Sequence, residues 1–347
     1  MDKTDLKNLS LKKLTAFVVG LGLPAFRAKQ IFAWLYRPGT TDFSTMTDLS
    51  LELRQRLDAS CKINTLRPSH REQSRDGTIK YGFTLEDGQL IESVLIPEDE
   101  RNTLCVSSQV GCAMGCRFCL TATMGFKRNL TPAEMVNQVV AVMDELRATG
   151  RTVTNLVFMG MGEPLANFDN LIDALEILMD PHGLDFSSRR ITVSTCGLIP
   201  RLRELGDRVK VNLAVSLHAP DNATRSKLMP VNQTYPLDDL LQACKDFPLP
   251  NRRRIMMEYI MLKDINDSDQ AAELLARKLR GIPCKINLLA YNATDNLGYE
   301  SSSPERIEHF QEILRRHGYT VLLRDSRGAD ISAACGQLAT RKSTVQT

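Results

Sequence analysis

Three cysteines at positions 112, 116 and 119 stand in the spacing C-x3-C-x2-C, with Gly111 and Gly115 in the same run and Phe118 just before the last thiol. Thiolates this close in sequence can converge on one site without a long loop having to close. Two chemistries use such a set. A structural zinc site normally takes a fourth protein ligand and usually a C-x2-C knuckle. A 4Fe-4S cluster is held by thiolates, and three of them leave one iron open to something else. The cluster is the better fit, with zinc as its rival.

The elements that must hold these thiols are read from length and patterning. A chain of 347 residues is long enough for about two domains and a large core. Its 43% hydrophobic and 24% charged residues are ordinary for a soluble globular protein. The net charge of +3 is too small to identify a nucleic-acid partner by itself. A local basic face remains open, for example around Arg252, Arg253 and Arg254, although such a run is usually a solvated loop. The start is polar and lacks the apolar core of a secretory signal, and no stretch reaches the roughly 18 apolar residues of a membrane span. No membrane association is expected. The expected location is cytoplasmic, where thiols stay reduced. Nine cysteines, an odd number with three clustered, agree with that compartment.

Residues 1 to about 60 read as helices. Leu6, Leu9, Leu11 and Leu14 begin one apolar face, 28–36 has helical spacing around Trp34, and 49–57 forms a third helix with Asp48 or Ser50 as its cap. Lys12, Lys13, Arg27 and Lys29 could face RNA, or the segment could simply pack. Two strand-like runs follow at 79–85 and 89–96, split by the turn residues Glu86, Asp87 and Gly88. The second run carries Glu92 among apolar neighbours. An acid in a strand ordinarily faces water; turned into a closed site, it would have a raised pKa suited to proton transfer.

From residue 104 the pattern becomes a regular strand–helix alternation, with strands expected at 104–107, 155–159, 191–195, 211–217, 255–262, 284–290 and 319–324. Thr131, Pro132 and Glu134 form a helix start with a capping box. Six strand–helix units and a closing strand, dense in Val, Ile, Leu and Met, predict a buried parallel sheet. An open doubly wound sheet and a partial barrel both satisfy the pattern, and in both the ligand sits at the carboxyl ends of the strands. There stand the three cysteines, then Gly160, Gly162 and Glu163, then Ser194, then Ser216, Leu217 and His218, then Asn292. Each has a bland reading as a turn or cap residue. Together on one rim, beside a cluster with an open iron, they would suit an amino-acid-bearing nucleotide such as S-adenosylmethionine. Cys335 lies near the C-terminus among small residues, and Cys105 lies on the strand that feeds the cysteine loop; a buried structural cysteine is the ordinary reading of each. Cys61, Cys196, Cys244 and Cys284 are assigned to packing.

The C-x3-C-x2-C loop resembles the radical S-adenosylmethionine superfamily. The runs 103–112, 125–131, 159–164, 225–230 and 333–338, in that order, resemble the RlmN/Cfr family of RNA adenine methyltransferases over nearly the whole chain. Two positions depart from the common pattern: Leu120 follows the last cluster cysteine, and Ala293 follows Asn292. The resemblance implies an α/β fold, a partial (β/α)6 barrel, with 1–65 a helical accessory domain, 66–98 a β-hairpin extension carrying Glu92, and 99–347 the barrel with its Cys335 loop. It also implies one 4Fe-4S cluster on Cys112, Cys116 and Cys119, completed by S-adenosylmethionine. That cofactor is used twice per turnover and is lined by Gly162, Glu163, Ser194, Ser216, Leu217, His218 and Asn292. Cys335 would carry the methyl group as S-methylcysteine, Cys105 would resolve the adduct through a transient disulfide, and Glu92 would accept the proton. The implied partners are 23S rRNA and tRNA, with an electron donor such as flavodoxin or ferredoxin, and the implied state is a monomer. The helical start and the 91–97 run look more like the branch that methylates carbon 2 of adenine than the resistance branch that methylates carbon 8. A zinc-bearing RNA-binding protein without catalysis is the remote alternative.

Overall fold

The computed structural model describes residues 3–250, 252–293 and 297–339. Strand β1 (Thr4–Asp5) pairs in parallel with β2 (Cys61–Lys62), and between them lie helices α1 (Leu11–Gly20), α2 (Phe26–Leu35) and α3 (Leu51–Ser60). The first helix starts later than its apolar spacing suggests. The Asp5 carboxylate accepts from the Lys7 N–H, and residues Leu6–Asn8 turn as a 3-10 helix instead. Leu6 is still fully buried. Ser50 rather than Asp48 caps α3, accepting from the Leu53 N–H at 3.3 Å; Asp48 is taken by the Trp34 indole.

Antiparallel strands β3 (Pro68–Gln73), β4 (Ile79–Thr84) and β5 (Leu90–Pro97) come next. The unforeseen one is β3, an edge strand too polar and too exposed to show a two-residue period. After β6 (Asn102–Cys105), the strands β7 (Gln109–Gly111) and β8 (Phe126–Asn129) form a small ribbon. The cysteine loop and the short α4 (Leu120–Thr123) hang between them. Gly111 is required there: at φ +72° a Cβ would lie 1.8 Å from the carbonyl oxygen of Gly125.

The alternation then runs α5 (Pro132–Arg147), β9 (Asn155–Phe158), α6 (Phe168–Met179), β10 (Ile191–Thr195), α7 (Ile199–Arg208) and β11 (Asn212–Ser216). It continues with α8 (Asn222–Leu228), α9 (Leu237–Asp246), β12 (Ile255–Met261), α10 (Asp269–Lys278), β13 (Cys284–Ala290), α11 (Pro304–Arg316) and β14 (Val321–Arg324). Ten strands form one sheet in the order β14-β13-β12-β11-β10-β9-β6-β5-β4-β3. From β6 to β14 every neighbouring pair is parallel. The order advances without reversing, so the doubly wound alternative fails: that fold reverses strand order at a switch point. The fold is a partial (β/α)6 barrel with a closing strand, extended on one edge by the antiparallel β5, β4 and β3. Helix α8, an extra element after β11, carries no apolar period long enough to announce itself.

The N-terminal segment docks on α5 through polar groups. Buried Lys7 donates to Asn137 Oδ1 (2.9 Å), Asn137 Nδ2 donates to the Asn64 carbonyl (2.9 Å), and the Ala133 N–H donates to Asn8 Oδ1 (2.9 Å). Burial pushes the Lys7 ammonium down to about 8. The same end of α5 holds the full capping box, Thr131 Oγ1 accepting from Glu134 N–H and the Glu134 carboxylate from Thr131 N–H. Arg128 grips that carboxylate with two further bonds at 2.8 Å. Thr131→Ala removes one half of the box. It should cost about 1 kcal/mol, read as a lower urea midpoint with an unchanged m-value.

Candidate active site

The three cysteines come together on one cavity. Cys112, Cys116 and Cys119 line it with Gly162, Glu163, Ser194, Ser216, His218, Asn292 and Cys335. Leu217, Cys105 and Glu92 are not on its wall. Burial raises all three cysteine pKa values, Cys112 to about 11, so as bare groups they are neutral thiols that need a cation to become thiolates. Among the described residues no group of three His, Cys, Asp or Glu side chains is gathered tightly enough to hold a single metal ion. Three thiols on one wall are the donor chemistry that holds a 4Fe-4S cluster.

Around the rim each strand end supplies a distinct group. Gly162 sits at φ +97°, where a Cβ would meet the Gln109 side chain at 2.5 Å. That close approach lets Gln109 Oε1 accept from the Glu163 N–H at 2.9 Å. The Glu163 carboxylate is buried and accepts from the N–H groups of Leu165 (3.0 Å) and Cys196 (2.8 Å). Burial raises its pKa. Among the described residues no cation of the chain pairs with it. Ser194, Ser216 and Asn292 are half-buried and make no side-chain hydrogen bond among the described residues. Leu217 contributes backbone: its N–H donates to the Glu258 carbonyl (3.0 Å). His218 takes a positive φ of 58°. Its Nδ1 accepts from the Ile260 N–H (3.1 Å), and its ring meets Phe118 edge-on at 4.8 Å. Burial drives its pKa down to about 3. The imidazole is therefore neutral, with its proton on Nε2.

Cys335 is exposed on the cavity wall. Its loop is held at both ends. The Gly328 N–H donates to Asp76 Oδ2 (2.9 Å), Ser74 Oγ to Asp330 Oδ1 (2.6 Å) and Lys80 Nζ to the Ile331 carbonyl (2.7 Å). At the other end the Leu120 N–H donates to the Gly336 carbonyl (2.8 Å) and Thr121 Oγ1 to that of Leu338 (2.6 Å). Cys105 is buried behind the cavity. Burial first, then the nearby Cys335, pushes its thiol up to about 12. Glu92 is buried too. Its Oε1 lies 3.8 Å from Lys80 Nζ, and its Oε2 has no hydrogen-bond partner among the described residues. Burial raises its pKa, Lys80 opposing.

The chain matches the family model described as the ribosomal RNA large subunit methyltransferase N-terminal domain over residues 4–63, and that of the radical SAM superfamily over 106–275. A solved radical SAM methyltransferase from Sphaerobacter thermophilus superposes with a TM-score of 0.90 at 46% identity, covering 96% of this chain and 99% of that one. The dual-specificity RNA methyltransferase RlmN of Desulfotalea psychrophila is 54% identical over 99% of this chain and 97% of its own length. That of Geobacter sulfurreducens is 54% identical over 96% and 91%. The chain belongs to the RlmN family of radical S-adenosylmethionine methyltransferases. Membership of that family implies a 4Fe-4S cluster and S-adenosylmethionine.

Three groups on the RlmN-family cavity escaped sequence reasoning. Cys196, assigned to packing, lines it and bonds Glu163 through its backbone. Glu258 lines it with its carboxylate accepting from Asn287 Nδ2 (2.8 Å), and Arg324 lines it where β14 ends. The available signal for Glu258 was the one that raised Glu92, an acid inside an apolar strand. Arg324 stands at a strand's carboxyl end, as the rim residues do. Among the described residues no helix is long and apolar enough to cross a membrane.

The histidine sets a pH dependence. The unfolded chain protonates His218 near its ordinary value of 6.5, whereas the folded chain resists until about pH 3. Its contribution to stability is full above pH 6.5 and is lost as pH falls from 6.5 toward 3. Urea unfolding across that window should show the wild type losing stability relative to His218→Gln as the pH drops; parallel curves would refute the assignment.

Proposed function

We propose that this chain methylates carbon 2 of adenosine in 23S rRNA and in tRNA. The observation that carries this reading is one cavity with three cluster-spaced cysteines on its wall and the exposed Cys335 on the same wall, its loop packed against Cys119. The names of the RlmN relatives support the RNA substrates, and the β4–β5 frame that places Glu92 supports a proton acceptor. In this reading 1–65 is an accessory domain for RNA, 66–98 carries Glu92 and 99–347 is the catalytic barrel. The enzyme works as a monomer fed by an electron donor such as flavodoxin or ferredoxin.

Cys112, Cys116 and Cys119 would hold the cluster, and Glu163 would take the ammonium group of S-adenosylmethionine. Ser194, Ser216, Asn292, the Leu217 backbone and the protonated Nε2 of His218 would orient the rest of the molecule. When bound, the cluster would supply the electron that cleaves S-adenosylmethionine reductively and would take one electron back after the ring has been substituted. Cys335 acts first as a nucleophile: its sulfur takes a methyl group from one S-adenosylmethionine and gives up its proton. Cys105 does not compete, because burial keeps it a neutral thiol. Once the S-methyl group on Cys335 has lost a hydrogen atom, a loss that would consume a second, reductively cleaved S-adenosylmethionine, its carbon bonds to carbon 2 of the adenine. Glu92 takes the ring proton; its raised pKa and unpartnered oxygen suit that task. Cys105 then gives up its proton and attacks the sulfur of Cys335, breaking that sulfur's bond to the methylene carbon, which takes up a proton to become the methyl group. The methylated base leaves and a disulfide remains, which an external reductant reopens.

The test is an anaerobic assay of reconstituted protein with RNA, S-adenosylmethionine and reductant, read by nucleoside mass spectrometry. The expected product is 2-methyladenosine; 8-methyladenosine would move the chain to the other branch, and no methyladenosine from cluster-loaded protein would end the proposal. Cys335→Ala should give no product. Cys105→Ala should accumulate a covalent protein–RNA adduct on a denaturing gel, and free turnover by it would remove the resolving role. Glu92→Gln should slow turnover at least about 100-fold. Its urea midpoint at pH 7 should not fall, since burial penalises the charge that the substitution removes.

A further inference from the structure

Helix α8 buries an arginine completely. Arg225 exposes no surface. Its guanidinium donates to the carbonyls of Cys196 (2.7 Å), Ser216 (3.2 Å) and Leu217 (3.2 Å) and to Asn232 Oδ1 (3.0 Å). Every one of these acceptors is neutral. Among the described residues no carboxylate forms an ion pair with it. A guanidinium does not shed its proton in proteins, so the charge is permanent, and a buried charge without a counter-charge is costly. Hydrogen bonds to carbonyls satisfy its N–H groups without neutralising it.

The surroundings show where the missing negative charge would lie. Glu163 is separated from Arg225 by one residue: Cys196 donates its N–H to Glu163 and offers its carbonyl to Arg225. In the reading above Glu163 is committed to an ammonium group. The other neighbour is the cysteine loop. The Arg117 N–H donates to the carbonyl of Leu228 at the end of α8 (2.9 Å), and Pro230 packs against Gly115. Cys196 and Ser216, whose carbonyls hold the guanidinium, line the same cavity as Cys112, Cys116 and Cys119.

We propose that Arg225 is a positioning residue for the 4Fe-4S cluster, its buried positive charge offsetting that of the thiolate-held cluster and easing the cluster's one-electron reduction. The inference rests on the cluster assignment made above. Reduction adds one electron, taken from an external donor, to a site that already carries thiolate charge; a fixed cation nearby favours the more negative state. Net charge and hydrogen bonding around the sulfurs are levers on such potentials. A role limited to latching the rim loops would instead depend on the hydrogen-bonding fork, whichever charge it carries.

Two substitutions separate charge from latch. Arg225→Lys keeps the charge and loses most of the fork; Arg225→Gln keeps donors and loses the charge. The measurement is the midpoint potential of the full-length, anaerobically reconstituted protein, from a dithionite titration followed by electron paramagnetic resonance. Arg225→Gln should lower the reduction equilibrium about tenfold, roughly 59 mV for one electron, with Arg225→Lys close to wild type. Asn232→Asp, which leaves the arginine in place and sets a carboxylate against it, should shift the potential the same way and decides the matter if Arg225→Gln does not fold. Unchanged potentials in cluster-loaded variants would overturn the inference alone. Wild-type protein that takes up zinc and no iron or sulfide would overturn the cluster assignment and the inference with it.

Discussion

Parallel hydrogen bonding that advances from β6 to β14 without a reversal is the constraint on which the rest depends. Parallel strands joined by right-handed crossovers all point the same way, so their carboxyl ends share a rim. Groups from six strands, β9 to β14, far apart in sequence, thereby meet on one cavity. Had the order reversed, as in a doubly wound sheet, those ends would have flanked a crevice instead of curving around a pocket. Local chemistry at each end can then be simple. A glycine admits a close backbone contact at 162, and the Cys196 N–H orients the Glu163 carboxylate. A backbone N–H at Ile260 selects the tautomer of His218.

Much of this was legible in the sequence because it is locally encoded. The box of Thr131 and Glu134 needs only four residues, and the structure has both of its hydrogen bonds. The buried parallel strands betray themselves as unbroken apolar runs, and the rim follows from their polarity. What escaped depends on contacts between distant parts. Whether Glu92 faced water or protein turned on what covers it, and the cover includes the backbone of Ala339 and the side chain of Lys80. Arg225 lies in a short polar run with no apolar period to mark it as buried; its burial comes from the carbonyls of two strand ends and from Asn232. Cys335 had no local signature to separate it from a structural cysteine, and only the family resemblance assigned it chemistry.

Buried charge recurs around the cavity, and it is handled in three ways. Glu163 is stabilised by two N–H groups and left without a cation among the described residues. Glu258 is held by an amide and feels Arg324 from a distance. Arg225 is wrapped in carbonyls. A barrel built only for stability would fill these places with apolar side chains, since paired or solvated ions gain little from burial. The arrangement costs folding energy and confers a fixed electrostatic field, present before any ligand arrives.

The loop of Cys335 is fastened at one end to the turn between β3 and β4 and at the other to the helix that follows the last cluster cysteine. Strand β4 pairs with β5, which carries Glu92. Cys335, Glu92 and the cysteine loop are thus ganged to a single frame, like tools on one arm. Their spacing is set by a handful of hydrogen bonds between segments that are remote along the chain. Sliding that arm by an ångström would retune several chemical distances together, whereas no single side-chain rotation could do so.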